Sequence, residues 1–287
     1  MTKEVCLIRH LDDFSSLDTA DRDSEITDAN PERIQPMAEF TADMAGRLNT
    51  SRIQIISSPL KRSTKTSEYL MEYLGRHYSN LNISFNIDPR ISTLHHGIYK
   101  KKNTEERMRV EKEAWRVFLE QARDNQNIYY RHGDARSIQG TEEIQYPYLL
   151  NAFDSPGENQ LEFTTRMYSF ILDLSEKLLN SYSKELVVIS SHASPIFRLH
   201  EVDSLSKVMD AKAYEIIKPG TLYVHEWREM DKLKNIPEIM KYMDPGSFGI
   251  LGMDDIIRFT NVLSKELRYL NTLEINSTNF TRVVTRV

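Results

Sequence analysis

A chain of 287 residues is long enough to bury a substantial core without covalent staples. Its one cysteine excludes a disulfide framework and a cysteine zinc cluster, and a net charge of -5 excludes general adhesion to nucleic acid, which depends on neutralising phosphates with Lys and Arg. No stretch approaches the roughly 20 apolar residues of a membrane-spanning helix and Met1 to His10 holds no long apolar run, so a cytoplasmic enzyme with no membrane contact is expected.

In chain order, the first strand is expected over Glu4–Arg9, where Cys6 sits as a small hydrophobe in Val5-Cys6-Leu7-Ile8. A second strand, Arg52–Ser57, leads into a helix over Arg62–Tyr78 that carries Tyr69, Leu70, Tyr73 and Leu74 at helical spacing. Ser84–Ile87 reads as a third strand, Glu105–Gln121 and Gln160–Leu179 as helices, and Glu185–Ser190 as a fourth strand. Gly220–Trp227 reads as a fifth. Beyond it the pattern turns helical from about Lys232 to Tyr269 and ends β-rich over Phe280–Val287. Strands alternating with helices predict a three-layer αβα sandwich, with a mostly parallel sheet covered on both faces. The division expected is a catalytic domain over 1–227, with an inserted lid region at about 89–157, and an extension over 228–287 packed on it.

Chemistry-bearing residues fall at the carboxyl ends of these strands, the edge where open α/β sheets bind ligands. The first strand delivers Arg9 and His10. The second is followed by Ser58-Pro59-Leu60-Lys61-Arg62, which places Arg62 in the first turn of a helix, where anions are favoured. The fourth delivers Ser191 and His192. Two histidines and two arginines converging on one edge suit phosphoryl transfer. Guanidinium forks neutralise phosphate oxygens, a neutral imidazole attacks phosphorus, and no metal or other cofactor is needed where cationic side chains supply the charge. Either histidine alone would read as a satisfied strand-end residue, but together with Arg62 that reading loses.

On these residues the chain resembles the histidine phosphatase superfamily, the phosphoglycerate mutase-like fold, over roughly residues 1 to 227. Arg9-His10 matches the family's Arg-His motif. Ser58, Leu60, Arg62 and Thr66 match its Ser-x-Leu-x-Arg-x-x-x-Thr motif, Ser191-His192 its late Ser-His, and Pro156-Gly157-Glu158 with Arg166 its Gly-Glu segment. The resemblance implies a phosphomonoesterase in which His10 becomes phosphorylated while Arg9, Arg62 and His192 hold the phosphoryl group. Ser58 and Glu158 would support the pocket, although an acidic residue in a first helical turn serves equally well as a dipole partner. The substrate would be a phosphorylated small molecule or a phosphoprotein. A mutase-type phosphotransferase and a catalytically weakened phosphate-binding or regulatory module are the alternatives.

Departures bear on mechanism. Leu11 stands where the family usually has Gly, and alignment on Gly97 puts Thr93 at the place of the general-acid Glu. Either His95 or His96 replaces that carboxylate, or the enzyme favours good leaving groups; Glu105 and Glu106 require a shifted alignment. Arg131-His132-Gly133 matches the Arg-His-Gly motif literally, but no Ser-x-Leu-x-Arg segment follows it to complete a pocket, and it reads as a surface or lid loop. Lys100, Lys101 and Lys102 read as a solvated turn, ahead of a basic rim for phosphorylated substrates.

Overall fold

A computed structural model describes residues 3–11, 31–93, 160–180, 185–208, 239 and 241–271 of the chain. Five strands form one sheet: β1 Glu4–Arg9, β2 Arg52–Ser57, β3 Asn82–Ile87, β4 Leu186–Ser191 and β5 Phe248–Gly252, in the spatial order β3-β2-β4-β1-β5. Neighbours are parallel except β5, which runs antiparallel to β1. The helices are α1 Pro31–Arg47, α2 Lys61–His77, α3 Gln160–Asn180, α4 Ala193–Val208, α5 Asp254–Arg258, and α6 over 260–271.

The apolar runs of β1 and β4 are central because a parallel strand covered on both faces must be hydrophobic on both. On one face Cys6, Ile8, Ile53, Ile55 and Val188 pack with Ile34, Met37 and Met44 of α1 and Leu70 and Leu74 of α2. On the other, Val5, Leu7, Val187 and Ile189 pack with Met167 and Ile171 of α3, Ile196 and Leu199 of α4, Ile256 of α5 and Leu263 of α6. These two cores make the molecule a three-layer αβα sandwich. Full burial of each such side chain is worth about 1.5–3 kcal/mol, so truncating Ile189, which is wholly buried, removes a large part of a domain's net stability. Burial pushes the Cys6 thiol up to about 12, which leaves it a core hydrophobe.

β1 and β2 occupy the expected residues, and β3, β4, α2 and α3 lie within two residues of theirs. Two helices were not legible. In α1 the periodicity is interrupted by Pro36, which the helix tolerates on its exposed side. In α4 no polar face exists to reveal a helical period: Ala193 to Ser206 are all buried or half-buried, and the ion pair of Arg198 with Glu201 (3.1 Å) lies inside. Phe248–Gly252 corrects the helical reading of that stretch. It is an edge strand, and the segment beyond 228 thereby enters the main sheet. Gly249 allows this, since a Cβ there would collide with Lys241 Nζ and the Tyr242 hydroxyl. The expected helix over Glu105–Gln121 and strands over Gly220–Trp227 and Phe280–Val287 lie outside the described residues.

Among the described residues no helix is long and apolar enough to cross a membrane, and no group of three or more His, Cys, Asp or Glu could hold a metal ion.

His200, on α4 against the Tyr242 ring (centroids 5.4 Å apart), contributes a pH dependence to this core. Burial first, then Lys241 and Lys207, push it down to about 4 from 6.5. The unfolded chain therefore binds a proton between these values that the folded chain does not, and stability falls as pH drops through that window. His200→Gln is expected to remove on the order of 2 kcal/mol of this acid-side loss, read by denaturant unfolding at neutral pH and near pH 4.5. An unchanged slope would reject the assignment.

Candidate active site

β4 lies between β1 and β2, so their carboxyl ends abut, with Arg9 opposite Ser191 and Ser57 opposite Ser190. The pocket is built on this edge. His10 follows β1, its N–H donating to the Ser191 carbonyl at 3.0 Å, and Ser58 follows β2, its N–H donating to the Ser190 carbonyl at 3.0 Å. His192 follows β4 directly, and Arg62 lies in the first turn of α2, whose N-cap, Leu60, provides no side-chain hydrogen bond.

His10, His192 and Arg62 are all buried, and the two imidazoles lie with centroids 4.9 Å apart, tilted at 56°. Arg62 Nε–H points between them, 3.1 Å from His10 Nε2 and 3.3 Å from His192 Nδ1. A single N–H can be accepted only by lone pairs, which settles both tautomers. His10 carries its proton on Nδ1 and donates it to the Leu11 carbonyl at 2.6 Å, leaving the Nε2 lone pair in the pocket. His192 carries its proton on Nε2, which bonds Ser58 Oγ at 2.8 Å. Burial, then His10, Arg62, Arg9 and Arg166, hold His192 well below the usual imidazole range, in keeping with a neutral ring.

Hydroxyls brace this arrangement. Thr66 Oγ1 donates to the Arg62 carbonyl at 2.7 Å and accepts from the Leu11 N–H at 3.0 Å, tying α2 to the loop after His10. Ser63 Oγ donates to the Ser190 carbonyl at 2.8 Å, and Ser191 Oγ to the Ile91 carbonyl at 2.5 Å. Arg166, on α3, donates to the carbonyl oxygens of Arg90 and Thr93, the latter at 3.2 Å, and so holds the turn that follows β3.

The structure thus brings together His10, Arg62, His192 and Ser58. Arg9, at the same strand end, directs Nη1 to the Tyr242 carbonyl at 2.8 Å, and its charge also acts on His192. Thr93 is placed beyond β3. His95, His96 and Glu158 lie outside the described residues, as do Glu105, Glu106, Lys100 to Lys102 and Arg131-His132. The Leu11 departure is explained: the side chain is wholly buried in the core beneath α1, and the backbone supplies the tautomer-setting carbonyl. Sequence reasoning missed the turn over 241–247, which touches Arg9 and His10. Its one signal was Pro245-Gly246 ahead of a short apolar run.

No family model matches the chain, and neither does a curated protein. Solved structures similar to it include a mycobacterial hydrolase, 16% identical over 89% of this chain and 93% of that one with a TM-score of 0.47. Another is a mycobacterial glucosyl-3-phosphoglycerate phosphatase in complex with VO3, 15% identical over 87% and 90% with a TM-score of 0.44. The product of an open reading frame of Mycobacterium tuberculosis is 16% identical over 87% and 91%, with a TM-score of 0.43.

Proposed function

We propose that this protein is a phosphomonoesterase of the histidine phosphatase type, acting on a phosphorylated small molecule or phosphoprotein through a phosphohistidine at His10. One observation carries the reading: a buried guanidinium N–H held between the Nε2 lone pair of His10 and the Nδ1 lone pair of His192. A phosphoryl group entering this space meets a nucleophile, a planar cation and a second imidazole at once.

In the first step Arg62 Nε–H turns from His10 Nε2 to a phosphoryl oxygen, the freed Nε2 lone pair forms a bond to phosphorus, the ester P–O bond breaks, and its electron pair leaves with the ester oxygen. Positive charge developing on the ring is offset by the Leu11 carbonyl at Nδ1. Water then attacks phosphorus, the N–P electron pair returns to Nε2, and a water proton is released. Transfer of the phosphoryl group back to substrate in place of water would make the enzyme a mutase.

Proton supply to the leaving group distinguishes substrates. With Thr93 at the position aligned to the acid, the leaving oxygen is protonated by His95 or His96, or leaves unaided. Aryl phosphates are expected to be hydrolysed about 10²- to 10⁴-fold faster than alkyl phosphates where no acid operates. His95→Ala and His96→Ala variants locate the acid: alkyl phosphate turnover falls in the variant that removes it, and unchanged rates on both substrates exclude both histidines.

The second reading, a phosphate-binding module, is favoured by Thr93 alone. Labelling from a phosphodonor separates the two. A base-stable, acid-labile label with turnover supports the enzyme, while phosphate binding without label overturns it in favour of the module.

A further inference from the structure

The carboxy-terminal segment reaches the pocket through a turn that the catalytic reading does not use. The 3-10 helix Lys241–Met243 leads through Asp244, Pro245, Gly246 and Ser247 into β5. Four hydrogen bonds tie this turn to its surroundings. Arg9 N–H donates to the Ser247 carbonyl at 2.9 Å, and Gly246 N–H donates to the His10 carbonyl at 2.9 Å. Arg9 Nη1 donates to the Tyr242 carbonyl at 2.8 Å. Arg33, on α1, reaches over and donates to the Pro245 carbonyl at 2.7 Å.

Gly246 has φ +79, in the left-handed region, and a Cβ there would lie 3.2 Å from Leu11 Cδ2 and 3.2 Å from Arg33 Nη2. Leu11 is the residue whose carbonyl fixes the His10 tautomer, and its N–H is already held by Thr66. The turn therefore leaves room for Leu11 only because residue 246 lacks a Cβ, holds the main chain of His10, and accepts from the guanidinium of Arg9.

From this we infer that the Tyr242–Ser247 turn, with Gly246 as its hinge and Arg33 as its strap, is a positioning element that sets the tautomer and aim of His10 and the orientation of Arg9. The residues act through His10 and Arg9 and touch no substrate. This inference rests on His10 being the nucleophile, and its test separates the two claims.

The test uses the full-length protein labelled with ¹⁵N-histidine. Long-range ¹H–¹⁵N spectra report the His10 tautomer and the Nδ1–H hydrogen bond without any need for turnover. Gly246→Ala pushes Leu11, and Arg33→Ala releases the turn without altering its backbone. Both are expected to move the His10 nitrogen resonances, to speed Nδ1–H exchange, and to lower kcat on an aryl phosphate by about tenfold at nearly constant KM. Arg258→Ala, an exposed change on α5 outside the turn, is expected to leave the His10 resonances unmoved. Unchanged His10 resonances in Arg33→Ala, with or without a folded Gly246→Ala, would overturn the inference. So would a loss of activity that tracks thermal stability alone. Moved resonances in a wild-type background that takes no label would uphold the positioning role and reject the phosphatase.

Discussion

His10→Asn is expected to abolish the base-stable label and to lower turnover by at least about 10⁴-fold, while the protein remains folded. The first half follows from the proposed mechanism, in which Nε2 of His10 attacks phosphorus: the Leu11 carbonyl holds the ring proton on Nδ1, and nucleophile removal in covalent catalysis costs several orders of magnitude. The second follows from what the ring supports. Losing its bond to Leu11 leaves one buried carbonyl short of a partner, a cost of about 1–3 kcal/mol. The main-chain bonds of His10 to Ser191 and Gly246 survive the substitution. Labelling, steady-state kinetics on an aryl phosphate and thermal unfolding measure all three quantities. A variant that keeps a tenth of wild-type turnover would remove His10 from the reaction.

Replacing Arg62 should damage binding and chemistry together. Its Nε–H is shared by both imidazoles, and burial leaves little water to replace it. Arg62→Ala is expected to lower kcat/KM by about 10²- to 10³-fold and to weaken inorganic phosphate binding in parallel, as expected for a preorganised donor aimed at developing charge. Arg62→Lys restores charge but not the planar fork, so it should recover only part of either loss. Calorimetry with inorganic phosphate reads the binding half. Full affinity and rate in the lysine variant would show that only charge matters at this position, which the observed sharing contradicts.

The parts of this design that were readable from the chain share a physical property: each is local. A run such as Val5-Cys6-Leu7-Ile8 needs burial on both faces wherever it lies, and Arg62 falls in a first helical turn because a helical period begins soon after Pro59, which a helix interior disfavours. The convergence of His10, Arg62 and His192 followed from one general rule, that strand ends in an open α/β sheet share an edge. What escaped was set by tertiary context. Pro36 hides α1, whose packing overrides propensity. The near-complete burial of α4 erases its period. Phe248-Gly249-Ile250-Leu251-Gly252 is too short, and too rich in glycine, to declare itself a strand before β1 is there to pair with it. The hydroxyl braces formed by Thr66 and Ser191 were visible as motif letters, but their partners, the Leu11 N–H and the Ile91 carbonyl, are backbone atoms that no side-chain pattern reports.

The pairing of β1 with β5 has a bearing on synthesis. Strand β1 waits for a partner encoded some 240 residues later, because Ile8 pairs with Phe248 and the His10 carbonyl accepts from Gly246. Until β5 has been made, β1 lacks its antiparallel neighbour and the His10 carbonyl lacks its bond from Gly246. Such long-range closure slows folding, and it ties the backbone setting of His10 to a strand made after the other four.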